Sequence, residues 1–575
     1  MMNLRHLAIL SATALAFVLG SMTTAAAKLS ASDLVGVWSG EQAFGPAFAG
    51  NEVVISVSGR SWSARVGALR GSASGQDYTL TFDFGNGNKL RLRYADNDLA
   101  GQWIQPISVS TGARFATPVV FSGPPGGPWR GRIVPFVDVQ HVDLIVQRAS
   151  DGTLSAFVRN PEENFGARIG SRAVSVAGDR VTLSRKDAPD ITGTFDAAAR
   201  SIAFHFDPFP GTFVLRKVRP ADAAATYSVP LETGDGWKTA SPAEVGMDEQ
   251  KIRDVLKSVG AAATSTRSPY IQSILIARHG KLVLDQYFNG FDRGRPHDVR
   301  SAGKSVATLL IGAAMRDHPS LSPNTPAYTL FPQYVPFAHP DPRKNQITVG
   351  NLMSMSSGLA CDDNDDASPG LEDAMQSQTA QPDWYKFTLD LPLVSEPGTK
   401  ATYCSAGINL LGGVVTKATG SWLPEYFYDR FAKPMQFGPY AMWLTPPPLD
   451  TAYMAGGDHF LPRDFLKFGQ LFLNRGFWNG SSVLDDKWLQ ASIEPRSGLN
   501  NPGDYGYGWH LFTYVVNGQT YKAFNAGGNG GQLLIVLPRL DMAVMITAAN
   551  YGQYPVWLSF VNDLVPKQIL PAVRP

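Results

Sequence analysis

Cysteine is nearly missing from this chain: its 575 residues include only Cys361 and Cys404. That excludes a disulfide-stapled scaffold and a zinc site built from several cysteines. Net charge is missing as well. Lys and Arg total 50 against 49 Asp and Glu, a net charge of +1, which gives no global reason to expect nucleic-acid binding. Beyond an N-terminal apolar run, no segment is long and apolar enough to span a membrane. The nine histidines show no metal-ligand spacing. Asp362-x-Asn364-x-Asp366 opens like a calcium loop, but Ala367 stands where glycine is required and Asp373 where the closing Glu belongs. A solvated acidic loop is the reading. No G-x-S-x-G elbow occurs, which argues against an α/β-hydrolase. Neither a metal nor a cofactor is expected.

What is present describes a globular chain. Hydrophobic residues make up 44% and charged residues 17%, too apolar for a disordered protein. At about 100–200 residues per domain, the length calls for more than one. Arg5 and His6 precede an apolar run over 7–19, and small residues end in Ala25-Ala26-Ala27. This is the pattern of a cleaved export signal. Residues 1–27 are therefore expected to be a signal peptide, and the mature chain to be exported, periplasmic or secreted, without a membrane span.

Residues 28–219 read as β-rich. Short alternating runs such as Val53-Val54-Ile55-Ser56-Val57 are bounded by turn residues, and Gly85-Asn86-Gly87-Asn88 reads as a hairpin turn. A weak repeat pairs Gly36-Val37-Trp38-Ser39-Gly40 with Gly127-Pro128-Trp129-Arg130-Gly131. It also pairs Ala64-Arg65-Val66-Gly67 with Ala167-Arg168-Ile169-Gly170, and Leu99-Ala100-Gly101 with Ile191-Thr192-Gly193. Two similar β-meanders, in a barrel or sandwich, would explain it. His141 and His205 read as packed or surface residues. Residues 220–240 read as a linker. Residues 241–575 mix helices with strands: 271–277 with 282–288, and 533–537 with 542–547, are candidate hairpins. A sheet joining both ends of this region, covered by the helices between, gives an α+β architecture.

The chemistry concentrates in three places. In Arg300-Ser301-Ala302-Gly303-Lys304-Ser305, Ser301 starts an apolar helix and Lys304 lies one turn on, on the same face. A serine hydroxyl needs a base to become a nucleophile. A neighbouring lysine can lower that base's pKa, or act as the base if it is itself desolvated. Gly303-Lys304-Ser305 also imitates the end of a phosphate loop, but Asp298 stands where that loop's first glycine is required. Next, Tyr403 precedes a short apolar helix. As tyrosinate it can serve as a base if cations depress its pKa, and Lys304 can supply the charge. Last, Ala526-Gly527-Gly528-Asn529-Gly530-Gly531 leads into a strand, where glycines permit close approach to the backbone.

In this order the three elements resemble the serine β-lactamase and penicillin-binding superfamily. The branch resembles class C β-lactamases, related carboxylesterases, D-aminopeptidases and 6-aminohexanoate-dimer hydrolases. Stretches such as Ser356-Ser357-Gly358-Leu359, Trp478-Asn479-Gly480 and Gly506-Tyr507-Gly508-Trp509 carry the likeness over roughly 236–575. The resemblance implies a β-lactamase-like catalytic domain, an antiparallel sheet flanked by helices, preceded here by an all-β N-terminal domain. It implies Ser301 as acylated nucleophile, Lys304 as its activating partner, and Tyr403 as the base that accepts the Ser301 proton and later activates water. The backbone amides of Ser301 and Asn529 would form the oxyanion hole.

Two departures bear on substrate. Tyr403-x-Ser405 replaces Y-x-N, and Ala526-Gly527-Gly528 replaces K-T-G, removing a cation that helps hold a β-lactam carboxylate. Ser405 and Gly528 become the substrate-binding positions. The expectation is an ester or small-amide hydrolase acting on a small molecule. A β-lactamase or D-Ala peptidase on cell-wall-like substrates is one alternative, and a non-catalytic binding or sensor protein is another. Cys361 and Cys404 could form a disulfide in an oxidising compartment, which would hold Tyr403 in place, or could remain buried thiols.

Overall fold

Two largely apolar stretches meet at the centre of the C-terminal half. Ile271–Arg278 and Lys281–Tyr287 form one hairpin, and Gln532–Leu537 and Met542–Ala548 form the other. Ile271–Arg278 pairs antiparallel with Met542–Ala548, Ile276 opposite Val544, so both ends of the domain share one sheet. Gln519–Gly528 and His510–Val516 extend it on one side. The short Lys238–Thr239, parallel to Lys281–Tyr287, completes seven strands on the other. Successive side chains on a strand face opposite ways. Leu275, Ala277, Leu534 and Val536 accordingly join one apolar cluster, and Ile274, Ile276, Leu533 and Ile535 the other. All residues of Ile271–Arg278, Gln532–Leu537 and Met542–Ala548 are buried, so both faces are covered. Glu249–Val259, capped by the Asp248 carboxylate, lies on one face with the C-terminal helical segment 554–572. Gly303–Asp317, Ser405–Thr419 and Pro462–Leu473 build the layer on the other.

The computed structural model describes residues 30–45, 48–76, 79–95, 98–218, 226–261 and 263–574. The expected signal peptide, 1–27, lies outside them. Among the described residues no helix is long and apolar enough to cross a membrane.

Ahead of this sheet-and-helix domain, the chain closes two rings of strands. In one, Gly36–Ala43 pairs with both Val139–Arg148 and Phe213–Val218, and the strands between run in sequence order to close a barrel around Trp38, Leu144, Ile202 and Phe204. In the other, strands run in order from Glu52–Ser58 to Arg114–Ser122. Trp129–Arg132 pairs with both of these, enclosing Val53, Phe82, Leu90 and Trp103. Trp38 and Trp129 thus fall on strands of different rings, as do Gly101 and Gly193. The Ala64/Ala167 pairing of the repeat fails: Ser61–Val66 is a strand, whereas Gly166–Ile169 is a helical turn. There Gly166 presses against the Val158 carbonyl so closely that a Cβ would stand 1.9 Å from the oxygen.

The rings are tied to the C-terminal domain. Met442–Leu444 adds antiparallel to Arg114–Ser122. Ion pairs Arg91–Glu425, Arg93–Asp429 and Arg114–Asp450 also cross this boundary. The Tyr270 hydroxyl donates to Asp143 Oδ2 at 3.0 Å, and the Arg159 guanidinium lies over the Tyr270 ring at 4.0 Å. Of the expected linker, 220–225 lie outside the described residues, and the remainder is docked. The Tyr227 hydroxyl donates to the Val283 carbonyl and the Trp237 indole to the Arg463 carbonyl, each at 3.0 Å.

Candidate active site

Ser301 occupies the turn Arg300–Ala302, which runs directly into the helix Gly303–Asp317. Asp298 Oδ1 accepts the Arg300 amide at 2.7 Å and holds the turn, with Arg300 at φ 48°. A non-glycine residue at positive φ marks a turn whose surroundings enforce it. One helical turn on, Lys304 Nζ donates to Ser301 Oγ at 2.9 Å and to the Ala455 carbonyl at 2.7 Å. Lys304 is 1% exposed, and burial pushes its ammonium below the ordinary lysine value, partly offset by the carboxylates of Glu372 and Asp363.

Tyr403 faces this pair. The Lys304 nitrogen stands 5.0 Å from the centre of its ring. Burial raises the phenol above its usual value. The Ser301 hydroxyl pulls it back, and Glu372 and Asp363 push it further up. The ammonium lies over the face of the ring, and the carboxylates of Glu372 and Asp363 oppose ionisation of the phenol. Cys361 and Cys404 are bonded, with Cα atoms 5.3 Å apart. The bond brings the acidic run beside Tyr403. The Asp363 amide donates to the Tyr403 carbonyl at 2.9 Å, and the Asp363 carboxylate accepts the amides of Ser405 at 2.7 Å and Glu372 at 3.0 Å. Glu372 in turn accepts the Tyr453 hydroxyl. Asp363 and Glu372 are the site residues that motif reading misses. Asp363 looks like one more member of a solvated run, and the pairing of the two cysteines is the signal that relocates it. His510, half-buried near Lys304, is pushed down to about 4 by desolvation.

The glycine segment closes the far side. A Cβ on Gly528 would stand 2.3 Å from the Val299 carbonyl oxygen, so only glycine lets this strand lie against the turn that carries Ser301. Gly528 is buried and Asn529 exposed. Among the described residues, the backbone amides of Ser301 and Asn529 donate to no other protein group. The Asn529 carboxamide oxygen accepts the Gly552 amide at 2.8 Å. Ser405 does not reach the open site. It is the first residue of Ser405–Thr419, fully buried, with its hydroxyl unpartnered and its amide held by Asp363. Its role as a substrate contact is corrected on that ground. Gly527, whose added Cβ would have no contact closer than 3.4 Å, has more room than Gly528. Among the described residues, no group of three or more His, Cys, Asp or Glu is arranged to hold a metal ion.

The family model described as Beta-lactamase matches residues 250–554. No curated protein matches the chain. Among solved structures, a Bacillus anthracis protein assigned as a 6-aminohexanoate-dimer hydrolase is 18% identical, with a TM-score of 0.44 over 60% of this chain and 88% of that one. A penicillin-binding protein homologue from Caulobacter crescentus is 15% identical, with a TM-score of 0.41 over 54% of this chain and 94% of its own. Simvastatin synthase (LovD) from Aspergillus terreus is 16% identical, with a TM-score of 0.42 over 57% and 98% of the two chains.

Proposed function

The chain belongs to the β-lactamase family over residues 250–554, and from that premise we propose that it is an exported serine hydrolase cleaving esters or small amides through an acyl-enzyme on Ser301. One observation carries the reading: a buried, desolvated Lys304 within 2.9 Å of Ser301 Oγ. Desolvation makes the neutral amine accessible, and the amine takes the Ser301 proton as Oγ attacks the carbonyl carbon. The oxyanion that develops is received by the amides of Ser301 and Asn529, each such donor being worth about 3–4 kcal/mol. Tyr403, a neutral phenol, gives its proton to the leaving oxygen or nitrogen as that bond breaks. The acyl-enzyme then faces a tyrosinate beside the Lys304 ammonium. The tyrosinate takes a proton from water, water attacks the acyl carbon, and Ser301 leaves with the Lys304 proton. Each side chain ends as it began.

The charges around Ser301 favour a substrate without a carboxylate at the β-lactam position. Residues 526–528 carry no cation, the Arg300 guanidinium is turned onto Asp298 and the Tyr551 ring, and Asp363 and Glu372 add negative charge. The pattern over 1–27 supports export, as does the disulfide, a bond that persists in oxidising compartments. Hydrolysis of p-nitrophenyl butyrate and of a chromogenic cephalosporin, by wild type and Ser301→Ala, tests the proposal. Serine-dependent ester cleavage with little lactam cleavage is expected. Fast lactam turnover would move the substrate class to β-lactams.

A further inference from the structure

The closed barrel reaches the proposed oxyanion hole through one buried side chain. Arg159 ends the strand Leu154–Arg159, opposite Asp143 on Val139–Arg148, and both side chains meet Tyr270 across the boundary. Arg159 is 1% exposed, and burial pushes its pKa down to about 10, with Tyr270 and Asp143 opposing the shift. Its hydrogen bonds all end on carbonyl oxygens of the C-terminal domain. Nη1 donates to Ser265 at 3.0 Å and to Ser268 at 3.1 Å, and Nη2 donates to Ser268 at 3.0 Å. A guanidinium is a planar fork with fixed donor directions, so its two bonds to Ser268 set where the segment 265–270 lies.

That segment holds Asn550, which is fully buried. Asn550 Nδ2 donates to the same Ser268 carbonyl at 3.0 Å, and its Oδ1 accepts the Tyr270 amide at 2.7 Å. Its backbone amide donates to the carbonyl of Gly530, the neighbour of Asn529, at 3.0 Å. A second route runs through packing. Tyr270, Ala549 and Tyr551 form one buried cluster. Gly530 lies against the Tyr551 ring, where an added Cβ would stand 2.5 Å from Cδ1, and the Arg300 guanidinium lies over that ring at 4.9 Å. The two proposed oxyanion donors, the amides of Asn529 and Ser301, are each adjacent in sequence to a residue that this network holds.

We infer that Arg159, contributed by the β-rich region, is a positioning residue for the oxyanion hole: by fixing Ser268 and Tyr270 it fixes Asn550, and with it the Gly530 turn that presents the Asn529 amide. The inference rests on the Ser301 hydrolase reading and adds to it a residue from outside the matched segment 250–554. Oxyanion donors act only when they stand about 2.7–3.1 Å from the developing charge, so a small shift of the Gly530 turn costs rate without closing the site.

Arg159→Met and Arg159→Lys test it with p-nitrophenyl butyrate. Methionine keeps an apolar stem but leaves both carbonyls without the fork, and lysine restores a point donor without its geometry. With KM changed less than about twofold, kcat should fall about tenfold in Arg159→Met and about threefold in Arg159→Lys. Inhibition by a trifluoromethyl ketone is a readout that lost stability alone does not move. Ser301 Oγ adds to its carbonyl carbon, the carbonyl electron pair becomes the oxyanion, and the Ser301 proton passes to Lys304. Its inhibition constant should rise by the factor that kcat/KM falls. The inhibition constant of p-nitrophenyl butyl ether, which has no carbonyl, should stay unchanged, as should the pH midpoint of kcat/KM. Hydrogen exchange on Ser301→Ala needs no catalysis, and adding Arg159→Met should speed it in the peptides that contain the Tyr270 and Asn550 amides. If Arg159→Met does not fold, Arg159→Lys carries the same comparisons. Unchanged kcat in a folded variant, a kcat loss that the ketone does not follow, an equal weakening of the ether, or unchanged exchange would overturn the inference and leave wild-type hydrolysis standing. A wild type without Ser301-dependent hydrolysis would overturn the hydrolase reading and the inference together.

Discussion

In the proposed mechanism two residues in contact, Ser301 and Lys304, carry the chemistry, and burial shifts the lysine toward its neutral form. Lys304 lies below its ordinary value of 10.5 because its ammonium is desolvated, while Tyr403 lies above its own. The proposal makes the base form of Lys304 the active one, so kcat/KM for a neutral ester should rise with pH as that lysine loses its proton, in a window below 10.5. Lys304→Ala and Tyr403→Phe should each lower turnover about 10²–10⁴-fold, typical for lost acid–base help. Steady-state rates across pH check both. A profile unchanged in Lys304→Ala would remove the lysine from the mechanism. The Ser301–Lys304 contact is legible in the sequence, because three residues on a helix give one face. Asp363 and Glu372 are not. Their approach to the site runs through Tyr403 and Ser405, some forty residues of sequence from Asp363, and no local spacing encodes such a contact.

At the scale of elements, the segments holding these residues are fixed from outside their own sequence. Tyr403 sits on the short stretch before Ser405–Thr419, tethered by the Cys361–Cys404 bond across a separation of 43 residues. Closing a loop of that length is worth up to about 4 kcal/mol in the chain-entropy model. Replacing both cysteines by serine should lower the melting temperature and reduce kcat more than it raises KM, because the Tyr403 segment loosens while the cleft stays. Calorimetry and ester kinetics on the double variant check this. Unchanged kcat would show that Asp363 and the helix suffice to hold Tyr403. Sequence alone left the two cysteines open between a bond and free thiols, since a pairing depends on geometry that spacing does not carry. The hairpins 271–288 and 533–547 are legible for the opposite reason: short, largely apolar runs bounded by turn residues read as buried strands whatever surrounds them.

At the scale of the whole molecule, the two β rings do more than precede the catalytic fold. They share a strand pairing, ion pairs and buried hydrogen bonds with it, and only the strand content of those rings is legible in the sequence. Three histidines, His297 buried and His459 and His510 half-buried, give the assembly a pH signature. His297 and His510 are pushed down to about 4 by burial, and His459 is also lowered. Between 6.5 and about 4 the unfolded chain binds protons that the folded one refuses, so stability is full above 6.5 and lost as pH falls through that window. The melting temperature should decline there, and a flat curve would contradict the lowered histidines. The most direct test of the account weighs the intact chain. Rapid mixing with a p-nitrophenyl ester, acid quenching and mass spectrometry should reveal one added acyl group, mapped to the peptide containing Ser301 and absent from Ser301→Ala. An acyl group on another residue, or ester hydrolysis undiminished in Ser301→Ala, would contradict it.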